Sequence, residues 1–149
     1  MTHPLAKGTN RAFSHSVQTA VQPEAVWRLW SDPSTWCDWD LGLKDAKLEG
    51  AFALGALREL TPRSGPKTQF RITAFEPGQT YTFATALPLA RLEITRTILA
   101  TDPTVFEHQV TFKGPLGGLW AQLFGPGFRR DLPPTMERIA QIVEAGGAR

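Results

Sequence analysis

Two polar residues interrupt apolar strand faces, and at these positions the chain could do chemistry. In Arg91–Leu99 one face reads Leu92, Ile94 and Ile98, and Arg96 falls on it. In the following run, Val105–Lys113, His108 shares its face with Phe106, Val110 and Phe112. Side chains alternate along a strand, so each polar group points where its apolar neighbours point. A buried guanidinium without a partner is very costly, so Arg96 must meet a carboxylate, a ligand oxygen or water. It either anchors an anionic or carbonyl group of a ligand or snorkels out at the sheet margin. His108 either exchanges a proton or orients a carbonyl, or it is a core histidine satisfied by hydrogen bonds. The two runs form a hairpin across Thr101-Asp102-Pro103. Counting outward from that turn puts the pair about one or two cross-strand positions apart, within reach of one ligand.

Other chemistry-bearing residues carry less. His15 also lies on an apolar strand face, near the start of its strand, where a rim position is expected; His3 belongs to the N-terminal tail. Cys37 has no histidine near it in sequence, and a small buried residue is its expected role. Asp38 and Asp40 have ligand-like spacing but lack a third ligand, and caps or turns account for them. The sequence holds no phosphate-cradling glycine loop, nucleophile elbow or zinc signature. Neither a metal nor another cofactor is expected. An enzyme built on this chain would depend on pocket shape and one or two acid–base groups.

The elements that position these groups can be read from periodicity and punctuation. Phe13, His15, Val17, Thr19 and Val21 alternate with Ser14, Ser16, Gln18 and Ala20, a strand with one apolar face. Pro23-Glu24 and Asp32-Pro33 are two helix starts, each with proline in the first turn. Behind them lie Trp27, Trp30, Trp36 and Trp39. Trp27 and Trp30 are expected to pack these helices against the end of the final helix, leaving Trp39 as a cavity-wall candidate. Strands are predicted at Ala46–Glu49, Ala56–Leu60, Thr68–Phe75, Thr80–Ala86, Arg91–Ala100 and Val105–Lys113. The punctuation between them includes Leu48-Glu49-Gly50, Pro62-Arg63-Ser64-Gly65-Pro66 and Glu76-Pro77-Gly78, short links that imply an antiparallel meander. After Gly114-Pro115 the period becomes helical, with Leu119, Trp120, Leu123 and Phe124, then Leu132, Met136, Ile139 and Val143. Gly125-Pro126-Gly127 and Pro133-Pro134 predict a break or strong kink in that helix.

A seven-stranded antiparallel sheet with one apolar face must bury it, and the C-terminal helix is the large element available. A curved sheet around one helix leaves a gap on its concave side, a natural ligand pocket of more than about 300 Å³. The order of elements, with Pro23-Glu24-Ala25-Val26-Trp27, Ser31-Asp32-Pro33, Trp36-x-x-Trp39, Leu48-Glu49-Gly50, Gly55, Phe70-x-Ile72…Glu76-Pro77-Gly78 and Val110-x-Phe112-x-Gly114-Pro115-Leu116, resembles the helix-grip superfamily. That superfamily includes START lipid-transfer domains, birch-pollen-allergen-like proteins and the bacterial polyketide cyclase/dehydrase and lipid transport (SRPBCC) proteins. The resemblance covers roughly residues 12–145. It implies an α+β helix-grip fold whose seven-stranded curved sheet wraps a long C-terminal helix, with two short helices after the first strand. By the same resemblance an apolar or aromatic, lipid- or polyketide-like molecule binds between sheet and helix, and the inner face of the final helix closes the pocket. Trp39, Phe83, Phe106, Trp120 and Phe124 would line it beside Arg96 and His108. A second implied reading is a polyketide cyclase or aromatase with His108 as acid–base and Arg96 on a carbonyl. A third is a protein-interaction module using the outer sheet face. The outward residues Glu93, Thr95, Thr97, Glu107, Gln109 and Thr111 are polar, which counts against the third.

Composition limits the remaining classes. With 149 residues the chain has room for one core, expected over residues 11–149 behind a flexible tail of residues 1–10. A formal charge of +2 does not call for nucleic acid, and one cysteine excludes an internal disulfide. No apolar run reaches the length of a membrane span, and the N-terminus lacks the apolar segment of a signal peptide. A cytoplasmic monomer or weak homodimer is expected.

Overall fold

The computed structural model describes residues 11–41, 43–47, 52–62 and 67–146. The expected tail at 1–10, the Leu48-Glu49-Gly50 turn and the Arg63-Ser64-Gly65-Pro66 part of the next one lie outside the described residues. Strand β1 (Ala12–Thr19) leads into α1 (Pro23–Trp30), a single 3-10 turn (Pro33–Thr35) and α2 (Trp36–Trp39). Six strands follow: β2 (Leu43–Lys47), β3 (Leu57–Pro62), β4 (Thr68–Glu76), β5 (Thr80–Leu87), β6 (Ala90–Thr101) and β7 (Thr104–Lys113). Helix α3 (Gly117–Glu144) ends the fold.

The local signals explain these starts and stops. Pro23 stands at the head of α1 with Glu24 beside it, where a missing N–H costs nothing and an acid faces the positive end of the helix. Asp32 caps the 3-10 turn by accepting the Ser34 N–H at 3.1 Å. The strands make one antiparallel sheet in the order β1-β7-β6-β5-β4-β3-β2, so the first strand closes beside the last. Its inner face contributes Phe13, Phe70, Ile72, Tyr81, Phe83, Ile98, Phe106, Val110 and Phe112 to the core. The outer face carries hydroxyl pairs, Thr80 with Thr97 at 2.8 Å and Thr82 with Thr95 at 2.7 Å.

The expected break in the final helix does not occur. Helix α3 is continuous over 28 residues with Pro126, Pro133 and Pro134 inside it. Each interior proline costs about 3 kcal/mol of helix stability, but burying a Leu, Ile, Met or Val side chain returns about 1.5–3 kcal/mol. Leu132, Met136, Ile139 and Val143 all lie on the buried face, so tertiary packing outweighs the local penalty.

Candidate functional site

Arg96 and His108 are direct cross-strand partners on β6 and β7. The same register extends sideways: Tyr81 of β5 opposes Arg96, and His15 of β1 opposes His108. One row across the concave face therefore reads Tyr81, Arg96, His108, His15. The row is deeply covered, since Arg96 is 1 % exposed, His108 2 % and Tyr81 0 %.

Aromatic rings enclose the guanidinium. Its carbon lies 4.7 Å from the Trp36 ring centre, 4.8 Å from Trp39 and 4.9 Å from Phe83. Each such contact returns about 0.5–2 kcal/mol against the desolvation of the cation. Nη1 donates to Tyr81 Oη at 2.7 Å, and Nη2 stands 3.6 Å from a carboxylate oxygen of Asp40, which follows α2. Nε is buried and has no hydrogen-bond partner among the described residues. A guanidinium has five N–H donors, so this arrangement leaves donor capacity in the interior.

The helix that carries the tryptophans also supplies the polar network. The C-terminal carbonyl groups of a helix lack intrahelical partners and carry partial negative charge. The carbonyl of Trp30, the last residue of α1, accepts from Trp36 Nε1 at 2.9 Å and from Tyr81 Oη at 3.3 Å. Tyr81 thus relays the negative end of α1 to Arg96. Burial, partly opposed by Arg96, pushes the Tyr81 hydroxyl up to about 12. Trp30 also donates its indole N–H to His108 Nε2 at 3.1 Å, a role beyond packing that the sequence reading did not assign to it. Burial holds the His108 imidazole well below its ordinary pKa, and the neighbouring Arg96 and His15 push the same way. The site therefore presents a neutral imidazole whose Nε2 lone pair is already engaged.

Five of the seven expected lining residues converge. Trp39, Phe83, Phe106, Arg96 and His108 are all buried, with Trp39 6.0 Å and Phe106 6.3 Å from the His108 ring. Trp120 and Phe124 depart from expectation. Trp120 donates to the Pro88 carbonyl at 2.9 Å, in the link between β5 and β6, and Phe124 stacks on it while remaining 46 % exposed. They occupy helical positions beside, not on, the buried face marked by Gly117, Ala121 and Gly125. His15, expected at the rim, is half-buried and completes the row.

The open gap expected between sheet and helix is not found among the described residues. Among the described residues there are two surface grooves, one of about 300 Å³ at Pro23, Glu24, Trp27, Arg28 and Gly78, the other of about 230 Å³ at Ala121, Gln122, Pro126 and Arg129. Large side chains fill the interior instead: Trp30, Trp36, Trp39, Arg96 and Tyr81 are the largest fully buried ones. Sequence reasoning missed Tyr81, Trp36 and Asp40 as neighbours of Arg96. The Tyr81 signal was available, because Tyr81 lies on the same inward face as Phe83 in a strand adjacent to β6.

Comparison with known proteins gives a consistent picture. A family model described as polyketide cyclase/dehydrase and lipid transport matches residues 11–144. A protein from Mesorhizobium loti superposes with a TM-score of 0.71 at 20% identity, over 91% of this chain and 98% of that one. A Rhodobacter sphaeroides protein gives 0.71 at 14% identity, over 97% of both chains. Norcoclaurine synthase from Thalictrum flavum, in complex with dopamine and hydroxybenzaldehyde, gives 0.63 at 14% identity over 91% of this chain and 87% of its own. At these identities the likeness establishes the fold. No curated protein matches the sequence.

Proposed function

The chain belongs to the polyketide cyclase/dehydrase and lipid transport family, and from that premise we propose that it binds an apolar or aromatic small molecule bearing a carbonyl or carboxylate group, with Arg96 as the anchor. The family suggests ligand binding or cyclase-like roles. One observation carries the finer reading: a buried guanidinium enclosed by aromatic rings, with Nε lacking a partner among the described residues and a single Asp40 oxygen at 3.6 Å. A buried cation is expensive, and apolar replacements of buried ion pairs are often neutral or stabilising, so stability alone is a weak reason for an arginine here. A ligand oxygen would take the place of Asp40, whose side chain is 24 % exposed and can turn to water. Because Trp36 and Trp39 fill the interior, entry requires α2 to move aside. The wall it would leave, Tyr81, Phe83 and Phe106, suits an aromatic skeleton.

A cyclase or aromatase reading with His108 as acid–base has less support. His108 Nε2 already accepts the Trp30 indole N–H, and a base would first have to give up that bond. The neutral imidazole fits orientation of a ligand better than proton transfer. The polar outer face of the sheet gives an interaction module little to bind with. Tryptophan fluorescence titration with paired probes, an aromatic carboxylic acid or ketone against the parent hydrocarbon, tests the proposal. The oxygen-bearing probes are expected to bind more tightly. Equal binding of acid, ketone and hydrocarbon would rule out an Arg96 anchor, and loss of turnover in His108→Ala with binding intact would favour the enzyme.

A further inference from the structure

Helix α3 is amphipathic in an unusual way at its N-terminal half. One side, Gly117, Ala121 and Gly125, is buried against the sheet. Another side is apolar and open: Leu119 is 49 % exposed, Leu123 61 % and Phe124 46 %, with Trp120 between them. At 3.6 residues per turn these four form one stripe. The stripe is extended by Leu89 in the β5–β6 link, which is 69 % exposed. Leu89 is held in place by its carbonyl, which accepts from Leu116 N at 3.0 Å, while Trp120 Nε1 binds the adjacent Pro88 carbonyl. Its φ of 53° is the left-handed region that a bulky residue normally avoids. The fold thus accepts strain where it projects this leucine outward.

The charge around the patch has one dominant sign. From residue 113 to residue 131 the chain carries Lys113, Arg129 and Arg130 and one acid, Asp131, which pairs with Arg130 at 3.0 Å. Arg91, cross-strand partner of Lys113, and Arg11, which donates to the Gly114 carbonyl at 2.6 Å, add to the border. Glu93 lies between Arg91 and Lys113, at 2.8 and 3.0 Å, so one acid is shared by two cations. Exposed leucines and aromatics with a flanking indole and a basic border are the features that let a helix lie in the interface of an anionic bilayer. We propose that the face made by Leu89, Leu119, Trp120, Leu123 and Phe124 docks the protein on an anionic lipid bilayer.

Co-sedimentation with vesicles of phosphatidylcholine alone, or of phosphatidylcholine mixed with phosphatidylglycerol, tests this. Wild-type protein is expected to bind the mixed vesicles, and the binding should weaken as salt is raised. Replacing both helix leucines, Leu119→Glu with Leu123→Glu, should lower it by about tenfold or more, since each leucine contributes burial in hydrocarbon. Both positions are exposed, so circular dichroism should confirm an intact fold. Leu99→Glu, at a leucine 47 % exposed on β6, should bind as wild type does. Arg96→Met should also leave vesicle binding unchanged, so that this docking face and the ligand site fail separately. Absence of binding to anionic vesicles, equal binding by the double variant, or a dimer that the double variant abolishes without any vesicle binding would each overturn the proposal.

Discussion

His108 makes the stability of this protein depend on pH in a window where carboxylates do not titrate. Its imidazole is buried, accepts the Trp30 indole N–H, and is held well below its ordinary pKa by burial first, then by Arg96 and His15. In the unfolded chain a histidine titrates near about 6.5. The folded state therefore binds fewer protons than the unfolded state once the pH drops below that value. The stabilisation is present in full above about pH 6.5 and is lost as the pH falls below it, down to the depressed pKa of the folded state. The slope approaches about 1.4 kcal/mol per pH unit, the effect of one proton. Urea denaturation at a series of pH values from about 7.5 to 5.0, above the ordinary carboxylate range, measures it. His108→Gln keeps an acceptor for the Trp30 N–H and removes the titration, so its stability should be nearly flat over that range. A flat wild-type profile, or an equal slope in His108→Gln, would refute the burial and the hydrogen bond as the cause.

Other outcomes follow from the same geometry. Tyr81 is the single tyrosine of the chain, so its tyrosinate absorbance can be followed without ambiguity, and its midpoint should be about 12 in the native protein. Arg96→Met removes the charge that favours the phenolate and should move that midpoint higher still. The same Arg96→Met substitution should change stability by less than about 2 kcal/mol by denaturation, because Asp40 can hydrate and Tyr81 keeps the Trp30 carbonyl; a loss of about 4 kcal/mol or more would make Arg96 a structural residue. Pro126→Ala should stabilise the protein by about 1–3 kcal/mol if α3 runs unbroken through that position. No gain in denaturation midpoint would indicate that the helix is interrupted there.

What could be read in the sequence followed from strong local periodicity. The alternation in β6 and β7, with the Asp102-Pro103 turn between them, was enough to aim Arg96 and His108 at the same interior. Their placement as immediate partners needed the register, which shifts between Ile98 and Ala100 close to the turn. Periodicity said that Leu119, Trp120, Leu123 and Phe124 share a region of α3 but not which side meets the sheet. Gly117, Ala121 and Gly125 decide it, because small residues let the helix approach closely. The prolines misled for a related reason, since local propensity knows nothing of the apolar stripe from Leu132 to Val143. Trp36, Tyr81 and Asp40 come to Arg96 from three separate elements, and no spacing rule brings such residues together. Nor does composition tell a filled interior from an open one, since the same tryptophans serve for either.

The side-chain N–H resonances of arginine give the most direct test of the central claim. Arg96 Nε–H is buried and without a partner among the described residues, so its NMR signal should be distinct from those of exposed arginines. On titration with an aromatic carboxylic acid that binds, that signal should shift and saturate together with the tryptophan fluorescence. Saturation of the fluorescence with the Arg96 Nε–H signal unmoved would place the ligand elsewhere and contradict the account.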